Sequence, residues 1–199
     1  MLKPLPVGIQ TFRDIIDGGF LYIDKTRYIY ELIQYSKGVY FLSRPRRFGK
    51  SLLISTLDEI FSGERESFRG LWLYDSPYQW LHYPVIRIDF SRTSVKTAEQ
   101  LEQAMDYLLK QIARSHHITL EGFNFQSRFD DLIFQLGQNR QVVILIDEYD
   151  KPIIDNLTNL DEAKRIRDAL KAFYTVIKSQ DQYIRFVFLT GISKFSRVG

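Results

Sequence analysis

The stretch GVYFLSRPRRFGKSLLISTLDEIF, residues 38–61, joins a short apolar run to a helical pattern through a basic turn. The run GVYFLS has the length and character of a buried strand. After the turn, apolar residues recur at helical spacing, at Leu53, Leu57, Ile60 and Phe61. Ser62 and Gly63 end that pattern. We therefore predict a strand, a turn and a helix in direct succession.

The same alternation continues along the chain. Three further apolar runs are typical of strands: VIRIDF (85–90), VVILIDE (142–148) and IRFVFLTG (184–191). Helical patterns lie between them, at residues 101–112, 129–136 and 163–177, and an earlier one places Tyr28, Ile29, Leu32 and Ile33 on one face. Asn159 and Glu162 form a start like a capping box for the last helix. Apolar strands that alternate with helices indicate a three-layer α/β fold with a mainly parallel sheet.

Composition narrows the class of protein. A chain of 199 residues with 45% apolar content can bury one sizeable core, which favours one domain. The 27 basic and 24 acidic side chains make a mixed surface, so nucleic acid is not indicated as a partner. Because cysteine is absent, disulfides and thiolate metal ligands are excluded. The sequence has no signal-peptide pattern and no apolar stretch that could span a bilayer, so we expect a cytoplasmic protein.

The turn after the first strand resembles a phosphate-binding loop. Such a loop needs backbone N–H groups at a helix N-terminus, a lysine for the outer phosphates and a hydroxyl for magnesium, and Gly49, Lys50 and Ser51 supply these. The general Walker A pattern G-x-x-x-x-G-K-[ST] would place glycine where this chain has Arg44. A side chain can be accommodated there if it points outward. The alternative is an ordinary β–α turn with an exposed lysine.

The rest of the loop has two interpretations. Arg46 and Arg47 could neutralise phosphate charge or could anchor the loop to the acidic segment DEYD. For Phe48 we favour a packing role under the loop over a role in stacking on a base. Tyr22 could shelter an adenine, although packing is the favoured role. We assign the predicted nucleotide-binding segment to Arg46, Arg47, Phe48, Gly49, Lys50, Ser51 and Leu52.

Two acids follow the third strand, at the carboxyl edge where parallel sheets bind their ligands. In ATPases built this way, the first acid holds magnesium and the second polarises the attacking water, which assigns these roles to Asp147 and Glu148. The predicted metal site is therefore Ser51 and Asp147. Alternatively, the acids cap the strand and pair with Arg46, Arg47 or Lys151.

The fourth strand also ends in polar residues. Thr190 and Ser193 could sense a terminal phosphate or orient water, and we include them with Glu148 as candidate catalytic residues. A threonine at a strand end can instead bond its own backbone. Lys194 and Arg197 could add positive charge, or could be solvated surface residues.

The chain resembles a known family, the predicted AAA-ATPase-like proteins, which are related to archaeal and signal-transducing P-loop ATPases. The resemblance lies in ordered blocks: YIDKT (22–26), RPRRFGKSLL (44–53), VILIDEYDKPI (143–153), AFYTVIKS (172–179) and FVFLTGISKFSRV (186–198). Arg44 departs from the general Walker A pattern but not from this family's form of the loop. The resemblance implies ATP and Mg²⁺ as ligands, with phosphate and magnesium contacts from Lys50 and Ser51. It also implies that Asp147 is the Walker B residue and Glu148 the catalytic acid.

The resemblance also implies a P-loop NTPase-type sheet. The Walker B strand would lie between the loop strand and its neighbour, with the sensor strand also beside the loop strand. A fifth strand and a helical lid belong to such a fold, so we expect the chain to lack both. We divide it into an N-terminal segment packed on the core (residues 1–36) and an ATPase-like core truncated at its C-terminal end (residues 37–199).

Three functions follow as expectations. The first is Mg²⁺-dependent binding and hydrolysis of ATP, the activity of a hydrolase. The second is a nucleotide-gated regulatory switch with little turnover that controls an effector, such as the restriction-nuclease-like region that family members often carry. The third, a nucleic-acid-binding module, has the least support because the charge is nearly balanced. The sequence indicates no oligomeric state.

Overall fold

The structure, a computed structural model, describes residues 2–92 and 94–193 of the chain. Four strands form one sheet within these residues: β1 (Gly38–Ser43), β2 (Val85–Asp89), β3 (Val142–Asp147) and β4 (Ile184–Gly191). Every pairing between them is parallel, which confirms the predicted sheet. Lys194 and Arg197 lie outside the described residues.

The strand order is β1-β4-β3-β2, which corrects one expectation. The strand that carries Asp147, β3, does not pair with β1, because β4 lies between them. The expected position of β4 beside β1 is confirmed. Burial explains the order: every residue of β3 and β4 is buried, as a central strand requires, whereas Val39 and Phe41 of β1 are exposed.

Seven α-helices accompany the sheet in the described part of the chain. They are α1 (Phe12–Asp17), α2 (Thr26–Ile33), α3 (Lys50–Phe61), α4 (Ala98–Ser115), α5 (Phe125–Gly137), α6 (Lys151–Ile154) and α7 (Leu160–Ser179). The predicted helices are therefore present, and α1 and the short α6 are additional. Short 3₁₀ helices lie at Arg65–Phe68, Trp72–Asp75, Phe90–Arg92 and Asp181–Tyr183. No helix in residues 2–92 or 94–193 is both long and apolar enough to cross a bilayer.

Successive side chains of the central strands enter two separate cores. Val143 and Leu145 of β3 pack with the layer that contains α1, α2 and α3. Ile144 and Ile146 point the other way and pack with the layer of α4, α5 and α7. This alternation follows from the two-residue period of a strand, and it confirms the three-layer architecture.

Residues before β1 belong to the first of these cores. Phe12 is fully buried, and its N–H donates a hydrogen bond of 2.9 Å to Ser55 Oγ of α3. On α2, Ile29 and Ile33 are buried as predicted, but the prediction for Tyr28 was wrong because it is 67% exposed. The buried stripe of α2 includes Thr26 instead.

The starts of α4 and α7 are joined by one carboxylate. Asn159 caps α7 as predicted, since its side chain accepts a hydrogen bond from the N–H of Glu162 at 3.3 Å. The side chain of Glu162 does not return to the N–H of Asn159 to complete a capping box. Its Oε1 accepts a 2.6 Å hydrogen bond from the N–H of Ala98, the first residue of α4, and its Oε2 lies 3.7 Å from Arg165 Nη1. One acid thus satisfies a free donor at the start of a second helix.

Candidate functional site

The loop between β1 and α3 turns through two left-handed residues, Arg47 (φ 66°) and Gly49 (φ 75°). Gly49 directly precedes Lys50, the first residue of α3. The first N–H groups of a helix have no partner within it, so this turn presents free donors at the carboxyl edge of the sheet. Arg44 is not one of the left-handed positions. The chain therefore needs a glycine at 49 and not at 44.

Arg44 keeps its side chain exposed while its backbone serves the fold. Its N–H donates to Gly191 O at 3.2 Å, which extends the contact between β1 and β4 by one residue. Its Nη1 donates to Ser43 O, also at 3.2 Å. The loop therefore accommodates an arginine at the position of the usual glycine by directing its side chain outward, as the sequence analysis allowed.

Lys50 is buried inside the loop, with 5% of its surface exposed. Its Nζ donates hydrogen bonds of 3.0 Å to the carbonyl oxygens of Arg44 and Pro45. Lys50 is therefore not the exposed lysine that the alternative of an ordinary β–α turn assumed. A buried ammonium group held by two neutral carbonyls has no counter-charge in these contacts, so it remains available to an anion.

Thr190 connects the ends of β3 and β4. Its hydroxyl donates a hydrogen bond to Asp147 Oδ1 and accepts one of 3.3 Å from the N–H of Glu148. Both side chains are buried, with Thr190 fully so and Asp147 2% exposed. Thr190 thus bonds the adjacent strand and not its own backbone, and it fixes the position of the Asp147 carboxylate.

Glu148 lies at the junction of the acidic segment and the loop. Burial raises the pKa of its carboxyl and the charge of Asp147 adds to that rise, while Lys50 and Arg46 oppose it. These opposing charges place Lys50 and Arg46 close to Glu148. Glu148 is itself left-handed (φ 51°), an uncommon conformation for a residue with a side chain. A carboxyl that retains its proton more readily than usual is suited to proton transfer.

The alternative in which the acids pair with nearby basic residues is not supported. Lys151 pairs with Asp155 of the next turn. Within the described ranges, no direct ion pair joins Asp147 or Glu148 to Arg46, Arg47 or Lys151. Arg46 and Glu148 do face one small crevice, together with Lys151. The acidic segment therefore meets the loop through longer-range attraction.

Ser193 is held by an acid that the sequence analysis did not single out. Asp150 Oδ2 accepts hydrogen bonds of 2.6 Å from both the N–H and the hydroxyl of Ser193, and one of 3.0 Å from the N–H of Ile192. Asp150 is 2% exposed, and it shapes the turn after β4. The only signal for this role was its place as the last acid of DEYD.

Phe48 does not pack under the loop, because 66% of its surface is exposed. It lines an open apolar cavity of about 710 Å³ beside Gly49 and Leu52. Tyr22 lines the same cavity, and its ring meets the ring of Phe12 edge to face, with the ring centres 5.0 Å apart. Tyr22 therefore has the packing role that the sequence favoured. Burial raises the pKa of Tyr22.

The oxygen donors at this edge fit a small divalent cation. Ser51, at the start of α3, offers a hydroxyl, and Asp147 offers Oδ2, which accepts no hydrogen bond from the described residues. Mg²⁺ prefers such oxygen ligands and takes its remaining ones from phosphates and water. Within the described part of the chain, no group of three or more His, Cys, Asp or Glu residues forms a metal cage. This set suits a cation that binds with a phosphate.

Comparison with known proteins identifies the family of this chain. The model of the family described as "Predicted AAA-ATPase" matches residues 6–199. An "Uncharacterized protein in vnfD 5'region" of Azotobacter chroococcum mcd 1 is 44% identical over 200 residues, which cover 98% of this chain. The chain spans 38% of the length of that curated relative. With the loop, the acidic strand end and the parallel sheet in place, the family match over nearly its whole length shows that the chain belongs to the predicted AAA-ATPase family.

Proposed function

We propose that the protein binds ATP together with Mg²⁺ and hydrolyses the phosphoanhydride bond to its terminal phosphate. The observation that carries this proposal is the burial of Lys50 at the start of α3, beside the acidic end of β3. A buried ammonium that forms no direct ion pair within the described residues and a helix N-terminus attract phosphate, and two adjacent acids serve a cation and a water molecule.

Each residue has a defined part in this proposal. On binding, Lys50 Nζ exchanges the carbonyls of Arg44 and Pro45 for phosphate oxygens. Ser51 Oγ and the Asp147 carboxylate would hold Mg²⁺, which neutralises phosphate charge when bound. Glu148 orients the attacking water and accepts its proton. Thr190 keeps the Asp147 carboxylate and the Glu148 backbone in place.

Calorimetric titration with a non-hydrolysable ATP analogue, with and without MgCl₂, tests binding. We expect saturable binding that Lys50→Ala abolishes, because the substitution removes the charge that faces the phosphates. Lys164→Ala, on the exposed face of α7, is the matched control and should bind like the parent. Equal affinity of the Lys50→Ala protein and the parent would contradict the proposal.

A regulatory switch is the second candidate. The observation that favours it is the link between the loop and the central strand: Arg44 O accepts from Lys50, while Arg44 N–H donates to Gly191 O of β4. If Lys50 exchanged the Arg44 carbonyl for a phosphate, the backbone of Arg44 could move, and its hydrogen bond to Gly191 O of β4 would change. Phosphate release separates the two candidates: steady turnover that Glu148→Gln abolishes supports hydrolysis, whereas tight binding without turnover supports the switch. An effector such as a nuclease-like region belongs to this second proposal.

A further inference from the structure

A second buried cation lies at the opposite edge of the sheet. Arg185 is the second residue of β4, roughly 20 Å along the strand from Gly191. It is 8% exposed, and its Nη2 donates a 2.8 Å hydrogen bond to Ile33 O. Its Nη1 is buried and has no hydrogen-bond partner among the described residues. None of the ion pairs in those residues includes Arg185, so its charge has no direct counter-charge.

Arg185 lines a cavity of about 250 Å³ whose polar residues all carry hydrogen-bond donors. Besides Arg185 these are Tyr30, Tyr78, Tyr83, Gln34 and Gln79, whose hydroxyls and amides can also accept. The amide N–H of Gln34 already donates to Glu31 O. Among the residues that the structure describes, no aspartate or glutamate lines the cavity. Its volume corresponds to about eight water molecules at roughly 30 Å³ each, enough for a small organic molecule.

Tyr78, which lines the cavity, and Trp80, which packs against Tyr78, also carry buried donors. The hydroxyl of Tyr78 and the indole N–H of Trp80 make no hydrogen bond within the described residues, and the two rings meet edge to face at 5.4 Å. Burial raises the pKa of Tyr78, so its hydroxyl stays protonated and can donate. Unsatisfied donors clustered around one cation are costly in a folded protein unless an acceptor joins them.

A second guanidinium strengthens the positive potential. Arg140 Cζ lies 5.4 Å from the centre of the Tyr83 ring, and Arg185 Cζ lies 5.9 Å from the same centre. Two cations on one ring, beside a cavity without acids, favour a negatively charged occupant. Only one guanidinium lines the cavity itself, which matches a single negative charge better than a phosphate dianion.

We propose that this cavity is a binding site for a small organic monocarboxylate. Arg185 and Tyr78, whose unpaired donors are buried beside the cavity, bind its carboxylate, and the side chains of Pro77 and Leu81, which line the same cavity, contact its carbon chain. The site is separate from the loop around Lys50 and does not depend on nucleotide binding there.

Thermal unfolding of the purified protein in sodium acetate tests the proposal. Sodium chloride at equal ionic strength and acetamide, a neutral molecule of the same shape, are the ligand controls. We expect acetate alone to raise the unfolding midpoint in a saturable manner, because binding to the folded state stabilises it. The Lys50→Ala variant should keep the full acetate effect, which excludes the phosphate loop as its source.

The variant Arg185→Met removes the charge and keeps most of the side-chain volume, so it should lose the acetate effect. Arg69→Met, at an exposed position, is the matched control and should retain it. Should Arg185→Met fail to fold, Tyr78→Phe removes one donor without changing the ring, and it should raise the acetate concentration of half effect about tenfold. Equal midpoints of the parent in acetate and chloride, or an unchanged acetate effect in either cavity variant, would overturn the proposal.

Discussion

The hydroxyl of Thr190 donates a hydrogen bond to Asp147 across the pair of central strands β4 and β3. The same oxygen accepts a hydrogen bond from the N–H of Glu148. One buried hydroxyl thus determines where a carboxylate lies and where the backbone of the next acid begins. The polar ends of β3 and β4 therefore act as a single unit, so a change at Thr190 should reach both acids.

Replacement of Thr190 by valine should destabilise the protein by about 1–3 kcal/mol. Valine has nearly the same shape, but it leaves Asp147 Oδ1 without its donor and the Glu148 N–H without its acceptor. Urea unfolding of the purified variant measures the loss. Thr175→Val is the matched control, because the Thr175 hydroxyl is exposed and bonds only Lys171 O within α7. If both variants lost the same stability, the hydrogen bonds of Thr190 would not matter for the fold.

Replacement of Glu148 by glutamine should change stability in a pH-dependent way. Because burial and Asp147 raise the pKa of Glu148 above its ordinary 4.5, ionisation of this carboxyl costs the folded state free energy. That cost is absent well below pH 4.5, develops as the pH rises through this value, and is complete above the raised pKa. Glutamine removes it, so the variant should be more stable than the parent at neutral pH and should lose this advantage in acid.

Urea unfolding of both proteins across that pH range measures the difference. Glu102→Gln, at an exposed position on α4, controls for the loss of one negative charge. An advantage for Glu148→Gln that stayed constant with pH would show that the raised pKa does not contribute. If hydrolysis is observed, its acid limb in the parent should likewise lie above pH 4.5, because the ionised carboxylate is the base.

Replacement of Gly49 by alanine should cost about 1–2 kcal/mol, because a left-handed backbone crowds a Cβ atom against the neighbouring carbonyl. The cost is purely conformational, since a Cβ at Gly49 would meet no atom within 4 Å apart from those of its own chain neighbours. Gly70→Ala is a close control, with φ 83° and the same open surroundings. Urea unfolding should show similar losses, whereas only Gly49→Ala should weaken nucleotide binding. A Gly49→Ala protein as stable as the parent would contradict the assigned backbone strain.

Local pattern was enough to predict most of the fold. The uninterrupted apolar runs around Val143 and Phe186 indicated strands buried on both faces, and the helical spacing from Leu101 to Ile112 indicated α4. The Asn159 cap was also predictable, because a cap depends on residues only three positions apart. These features are set by neighbours in sequence.

Features set by distant residues could not be predicted in this way. The order of the strands depends on which of the four apolar runs have a neighbouring strand on each side. The periodicity within a run carries no information about its neighbours. Glu162 accepts a hydrogen bond from Ala98 of α4 instead of completing a capping box at Asn159. The role of Asp150 in the turn at Ser193 also depends on the approach of β4. Each of these contacts joins residues that are far apart in sequence.

The position of β4 has a consequence for how the protein folds. β1 is synthesised before the other strands of the described sheet, yet its partner β4 begins only at Ile184, after all three of the others. Until β4 enters, β1 has no strand beside it and β3 is paired only with β2. Sheet formation is therefore a late, long-range step, and such steps are slow and leave apolar strand edges open to aggregation. While β4 is still inside the ribosome, the nascent chain therefore lacks the strand that joins β1 to the pair of β2 and β3.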